Sequence, residues 1–329
     1  MIRFGILGAG RIGKVHGASL ANSGRAKVAY VADADPKAAE ALAGPIGAKV
    51  ASVAEVIKAK DADAILIATP TDTHADLIEA AANAGRMIFC EKPVSLSVER
   101  IEACLRVVEK AKVPLMIGFH RRYDPNYAAL AKRLGAGEAG EVEIVTIACR
   151  DPSPPPVSYI ERSGGLYRDM MIHDFDMARF LLKEEPAIVH ALGGVLVDPA
   201  IGKAGDVDTA AVHMQTASGK ICIITNSRRA TYGHDQRIEV HGSTAMLRAG
   251  NIHLTTLERA DADGFTSDLI PFSFIERYVE AYRLEMMAFL DAIEQGREPS
   301  ASGHDGLMAQ KLAEAATESW TTGKAVKIT

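Results

Sequence analysis

Ile2-Arg3-Phe4-Gly5-Ile6-Leu7 runs directly into Gly8-Ala9-Gly10-Arg11-Ile12-Gly13. An apolar strand feeding a Gly-x-Gly-x-x-Gly turn and then a helix opens a βαβ unit of the dinucleotide-binding kind. The glycines alone are weak evidence. Here a second apolar run, residues 27–32, ends at Asp33, about 20 residues beyond Gly13, where such a unit carries its carboxylate. Gly8 permits the tight turn out of the strand, Gly10 lets the backbone approach a pyrophosphate, and Gly13 lets the helix close on the sheet. The helix opening at Arg11 and Ile12 offers free N–H groups and its positive dipole end to the phosphates. Asp33 is expected to accept hydrogen bonds from the adenosine ribose hydroxyls. Its charge disfavours a 2′-phosphate, and Ala34 and Asp35 follow it rather than Arg, so NAD is favoured over NADP. The bland alternative is a structural glycine turn with no cofactor; position and spacing weigh against it.

Further apolar runs at 64–68, 87–90 and 115–119 alternate with alanine-rich helical stretches at 75–84 and 98–111. That alternation predicts an α/β domain over residues 1–120, with a parallel sheet covered on both faces and ligands at the carboxyl ends of its strands. The pattern changes after Phe119. A stiff Asp151-Pro-Ser-Pro-Pro-Pro156 loop precedes a helical stretch at 166–183. Strand-like runs follow at 188–197, 209–215, 220–226, 237–241 and 245–248, with turn residues between them. Residues 121–329 therefore read as an α+β domain with a large, open, mainly antiparallel sheet, whose free face needs a cover that another subunit could provide. Val279, Tyr282, Met286, Phe289 and Ile293 form one helical stripe, and a last amphipathic helix spans about 305–320.

A chain of 329 residues exceeds one typical core, so two domains are expected. A net charge of −5 argues against a nucleic-acid partner. The chain opens as strand, so no secretory leader is expected, and no apolar run approaches the ~18 residues of a membrane span. Cys90, Cys104, Cys149 and Cys222 are far apart and have apolar neighbours. They read as reduced, buried thiols with neither zinc-site nor disulfide spacing, and a cytoplasmic location without a bound metal is the default.

Met87-Ile-Phe-Cys-Glu91-Lys92-Pro93 delivers a Glu and a Lys to a strand's carboxyl end, where proline fixes the backbone. A lysine aimed from there stabilises an alkoxide as an alcohol loses its proton; a solvated loop lysine is the competing reading. Asp169, His173 and Asp176 share a face of a helix by their spacing. A histidine with an ordinary value near ~6.5 suits a general base, and a carboxylate one turn earlier orients it and favours the imidazolium. A merely wet helix face is the alternative. Apolar residues around most of the helix (Met170, Ile172, Met177, Phe180, Leu181) favour a buried one. Thr69 and Pro70, followed by His74, stand at the fourth strand end and belong to the cofactor side, although helix capping by Thr71, Asp72 or Thr73 explains the stretch equally well. Arg121 and Arg122 are candidates for a substrate oxygen or for the domain junction; Tyr232 and His234 are candidate polar pocket residues on a loop.

With these pieces in hand, the chain resembles the glucose–fructose oxidoreductase and inositol dehydrogenase family over essentially its whole length. The resemblance rests on residues 8–13, on Glu91-Lys92-Pro93, on Gly118-Phe-His-Arg-Arg-Tyr-Asp124 and on residues 169–176. Within the family, residues 163–180, 232–242 and 276–282 are most similar to inositol 2-dehydrogenases. The resemblance implies a Rossmann domain and a catalytic set of Lys92, Asp169 and His173. His173 takes the hydroxyl proton, Asp169 supports it, and Lys92 bridges the reacting hydroxyl and the cofactor ribose. Gly8, Gly10, Arg11, Ile12, Gly13, Asp33, Thr69, Pro70, His74, Glu91 and Lys92 are then expected at the NAD. Lys92, Arg121, Asp169, His173, Asp176 and Tyr232 are expected at the substrate. Members of the family are commonly dimers or tetramers joined through the open sheet, so the resemblance implies a homodimer or homotetramer and a second unit that binds substrate and joins subunits. His120 departs from it, standing where relatives often carry Asn.

The expected activity is NAD-dependent oxidation of a ring secondary alcohol, with myo-inositol to its 2-keto product as the best single reading. The rivals are another sugar, polyol or sugar-acid dehydrogenase on this scaffold, and a non-catalytic NAD-binding sensor.

Overall fold

The computed structural model describes residues 1–328. The chain forms two compact units. One comprises Met1–Asp124 with Glu280–Gln310; the other comprises Pro125–Val279 with the chain from Lys311 on. A single division at 120 thus catches only the first crossing, because the first unit takes back a later segment.

The first unit holds six strands: β1 (Ile2–Leu7), β2 (Ala26–Ala32), β3 (Lys49–Val50), β4 (Ala64–Ile67), β5 (Met87–Glu91) and β6 (Leu115–Gly118). All pair in parallel, in the order β3-β2-β1-β4-β5-β6. β4 is buried along its full length and β1 over its last four residues, as helices on both faces require. The order reverses between β1 and β4, and the crevice beyond the strand ends at such a reversal is where ligands bind. The returning helix Val279–Gln295 brings Phe289 against Phe4 and Phe89, with ring centroids 6.1 and 5.8 Å apart. Truncating a buried Phe of this kind costs about 3–5 kcal/mol.

The second unit is built on β7 (Val142–Arg150), β8 (Pro186–Gly194), β9 (Thr209–Thr216), β10 (Ile221–Ser227), β11 (Asp235–Gly242) and β12 (Met246–Ala249). An exposed hairpin, β13 (Glu258–Asp261) and β14 (Gly264–Ser267), stands apart, and β15 (Val326–Lys327) closes one edge of the sheet. The order is β12-β11-β7-β10-β9-β8-β15; β7 and β10 run parallel and every other pair antiparallel. Successive side chains alternate between faces. Val145, Ile147, Val212, Ile224 and Val240 are buried on one face, against which the helix Ile172–Leu182 packs. Ile144, His213, Ile221, Ile223 and Arg237 point to the other, which this chain leaves uncovered.

The strand pattern of the first unit matches the sequence reading closely. In the second, β7 falls outside the strand runs read from the sequence, although it lies in the interior of the sheet. The helix expected over 166–183 is also two helices, Gly165–Asp169 and Ile172–Leu182. All four cysteines are free and buried. Among the described residues no helix is long and apolar enough to cross a membrane.

Candidate active site

The glycine loop of the first unit has the build of a phosphate cradle. Gly8 has φ 99°, and a Cβ there would lie 2.4 Å from the Ala68 carbonyl oxygen. A Cβ at Gly13 would lie 2.0 Å from the Gly8 carbonyl oxygen, so the helix sits as close to the loop as glycine alone allows. A Cβ at Gly10 would meet nothing within 4 Å; the open side of the loop is there. The helix Arg11–Ala21 begins at Gly10 with no side-chain cap and no acidic residue in its first turn. Its leading amides therefore stay available to an anion. Asp33 accepts the Ala9 N–H at 2.6 Å and the Asp35 N–H at 2.8 Å. It is thereby pinned at the mouth of the loop with one lone pair left on each oxygen. These features fit a dinucleotide with an unphosphorylated ribose.

At the neighbouring strand ends, Thr69 Oγ1 bonds Thr73 Oγ1 at 2.6 Å, and the Thr73 hydroxyl donates to the Pro70 carbonyl at 2.8 Å. Thr73 stands at the N-cap of the helix His74–Asn83 without using its side chain as a cap. His74 opens that helix. It is 1% exposed, and its two ring nitrogens each lie 2.8 Å from a backbone carbonyl oxygen, of Pro93 and of Thr69. Both ring nitrogens face carbonyl oxygens, so this side chain ties two loops together. Burial pushes its pKa down, against the pull of the two carbonyls.

Glu91 ends β5 and is held from behind: His16 Nε2 lies 2.7 Å from Glu91 Oε1. Glu285 joins them, one donor atom from each of the three residues falling within 4.8 Å of the others. Gly118 leaves the room this needs, since a Cβ there would lie 2.9 Å from Glu91 Oε2. Lys92 follows, half-buried, and the Lys92–Pro93 peptide is cis. His120 is buried and stacks on Tyr282 at 4.5 Å, and Tyr282 in turn meets the edge of His16 at 5.6 Å. Arg121 is buried as well. Arg122 donates to the Ser300 carbonyl and pairs with Asp305 at 2.8 Å, which gives it a structural role within this unit.

In the second unit, Asp169 ends its short helix and Ile172 begins the next. The N–H groups of Met170 and Met171 both reach the Leu166 carbonyl, and those of Asp174 and Phe175 both reach that of Met171. The backbone thus steps between Asp169 and His173, and the continuous stripe expected for Asp169, His173 and Asp176 is interrupted. Asp169 Oδ1 accepts the Tyr159 hydroxyl at 3.0 Å; its Oδ2 lies 4.0 Å from Arg228 Nη2. His173 is buried. Its neighbour Asp174 accepts from Asn226 at 3.0 Å and Gln236 at 3.2 Å, which pins the helix to β10 and β11. Asp176 is buried too, 3.9 Å from Arg179, whose guanidinium forks onto Glu185 at 2.6 and 2.7 Å.

Tyr232 lies on the loop before β11. It is 55% exposed and its hydroxyl donates to Asp235 Oδ2 at 2.8 Å, a carboxylate that also takes both Arg237 bonds. Arg237 points to the uncovered face of β11, whereas Gln236 between them points to Asp174. The alternation of the strand therefore puts Asp235, the partner of the Tyr232 hydroxyl, on the same side as Arg237. The sequence reading missed Tyr159, Asp206 and Arg228. No local spacing joins Arg228 to Asp169; only the fold of the second unit does.

Comparison with known proteins agrees with these features. Residues 2–119 match the model of the Gfo/Idh/MocA oxidoreductase family for its NAD-binding Rossmann fold, and residues 131–328 match that for its C-terminal alpha/beta domain. The chain is 55% identical over 327 residues to the inositol 2-dehydrogenase of Rhizobium meliloti (strain 1021), covering 99% of each. It superposes with a TM-score of 0.96 on a myo-inositol dehydrogenase from Corynebacterium glutamicum at 39% identity, covering 100% of this chain and 99% of that one. The TM-score is 0.89, at 26% identity, with a myo-inositol dehydrogenase from Lactobacillus casei in complex with NAD(H) and myo-inositol, over 100% and 97% of the two chains.

Proposed function

This chain belongs to the Gfo/Idh/MocA oxidoreductase family, and from that membership we propose that it oxidises myo-inositol to 2-keto-myo-inositol with NAD. The observation that carries this reading is the end-to-end similarity to inositol 2-dehydrogenases in a chain that has all three of Lys92, Asp169 and His173. When bound, NAD supplies a hydride acceptor. The Gly8–Gly13 loop and the bare helix start behind it hold the pyrophosphate, and Asp33 takes the ribose hydroxyls. His173 receives the proton of the reacting hydroxyl, and Asp169 stabilises the imidazolium that results. The Lys92 ammonium lowers the energy of the developing alkoxide. Arg121 and Asp176 contribute substrate contacts. A sensor would need the cofactor cradle but not this acid–base set.

A panel of myo-inositol, other inositols, aldoses, acyclic polyols and sugar acids, each with NAD and NADP, tests the proposal. NADH formation with the highest kcat/KM on myo-inositol is expected. NAD binding without turnover of any member overturns it in favour of a sensor, and a preference for an aldose or sugar acid overturns the substrate. The free cysteines fit a reducing cytoplasm. The uncovered face of the second sheet, with Leu192 and Ile221 exposed on it, is assigned to a second copy of the chain, in a dimer or tetramer that light scattering would count.

A further inference from the structure

We propose that Arg228 is a positioning residue for Asp169: its buried guanidinium, shared with Asp206, holds the short helix Gly165–Asp169 and so fixes the carboxylate that serves His173. The inference rests on the reading of Asp169 as the partner of the base.

Arg228 follows β10 directly and is 1% exposed. A cation so placed has lost its hydration, which is costly unless nearby anions and hydrogen bonds offset it. Two carboxylates face it: Asp206 Oδ2 at 3.8 Å and Asp169 Oδ2 at 4.0 Å from its Nη2. Its Nε and Nη2 make no hydrogen bond, so the guanidinium is held by charge rather than by directional bonds.

The two carboxylates sit at opposite ends of one helix. Both oxygens of Asp206 accept the Leu166 N–H at 3.0 Å, in the first turn. Gly165 makes this possible: its φ is 81°, and a Cβ there would lie 2.5 Å from Asp206 Oδ1. Asp169 is the last residue of the same helix. Five residues cannot sustain a helix by their own hydrogen bonds, so the anchors at its ends set its orientation. Arg228 is common to both anchors. The remaining Asp169 oxygen accepts the Tyr159 hydroxyl, so the carboxylate is gripped on both sides. Burial pushes the Asp206 carboxyl up, and the Leu166 amide and the guanidinium pull it back, as expected where two acids share one cation.

The test uses the full-length enzyme with NAD and myo-inositol. Displacing a catalytic group by about 1 Å costs about 100-fold, so Arg228→Met is expected to lower kcat by about that factor with the KM for NAD unchanged. Arg228→Lys, which keeps the charge, is expected to recover most of the loss. Unchanged turnover in Arg228→Met overturns the proposal, and so does a loss of NAD binding in step with kcat, which marks a merely structural role. If Arg228→Met does not fold, Asp206→Asn decides. Its amide oxygen still accepts from Leu166 while one anchor charge is gone. A clear fall in kcat at constant NAD KM supports the role, and wild-type kcat overturns it. Asp169→Asn separates the two layers of argument. If that variant turns over normally, the reading of Asp169 fails; if it is dead while Arg228→Met is normal, only the positioning role fails.

Discussion

The two sheets are organised in opposite ways. The first is wholly parallel and covered on both faces, and its functional groups sit on loops at the strand ends, each within a few residues of the strand that presents it. The second is mostly antiparallel and covered on one face only. The groups proposed for its chemistry lie on two helices that side chains from distant parts of the chain contact: Asp169 faces Arg228, and Asp174 accepts from Asn226 and Gln236. Binding of a common cofactor is thus written in local backbone geometry, whereas the groups we propose to handle the proton depend on tertiary contacts. Chemistry and cofactor binding should therefore come apart under mutation.

The largest separation is expected for His173→Ala and Lys92→Ala. Loss of a general base or of alkoxide stabilisation lowers kcat by about 10²–10⁴-fold; NAD affinity measured by fluorescence titration stays near wild type in His173→Ala and falls modestly in Lys92→Ala, whose ammonium is also expected at the cofactor ribose. A comparable loss of NAD affinity in His173→Ala would break the comparison.

Next in size is a stability effect confined to the second unit. Asp208 is buried and accepts the N–H groups of Leu196, Val197 and Asp198 at 2.8, 2.8 and 3.0 Å, and the Thr209 hydroxyl at 3.0 Å. Burial disfavours its charge, but these donors outweigh that and hold its pKa below the ordinary carboxylate value. Asp208→Ala is expected to cost about 2–4 kcal/mol in urea denaturation, because buried amides lose their acceptor. A depressed folded pKa also fixes the sign of the pH dependence. The stability contributed by Asp208 is complete above its unfolded value of about 3.9 and is lost as pH falls through the lower folded value. The wild-type unfolding midpoint should drop in that window, and that part of the drop should vanish in the variant.

Asp33→Ala sharpens the comparison from the other side. Removing a charged acceptor of ribose hydroxyls should weaken NAD by about tenfold and leave kcat at saturating NAD unchanged. The smallest effect is expected for Tyr232→Phe. Its hydroxyl serves Asp235, so kcat and KM should stay within about twofold and only about 1 kcal/mol of stability should go. A large rise in the KM for myo-inositol would place Tyr232 at the substrate.

Legibility in the sequence followed the same division. The strand, the glycines and Asp33 could be read because each constraint acts over a few residues and has one residue type that satisfies it. Asp169 and His173 were picked out by spacing, but the step at Met170–Met171 was not, since Asp206 and Arg228, which anchor that helix, come decades of residues later. The strand β7 carries alternating β-branched residues (Val142, Ile144, Thr146) and was still passed over, because its partners β10 and β11 lie far along the chain. His74 and Tyr232 were chosen by their neighbourhood in sequence. Their actual partners, the Pro93 carbonyl and Asp235, are set by loop closure and strand parity, which local patterns do not encode.

The return of Glu280–Gln310 to the first unit has a consequence for synthesis. As the chain emerges from a ribosome, all six parallel strands are out long before Phe289, which seals Phe4 and Phe89. The nascent cofactor half must wait, with greasy rings unshielded, until nearly the entire polypeptide has been made. A fragment cut at Asp124 should behave as a sticky, chaperone-bound intermediate rather than as an autonomous NAD-binding module.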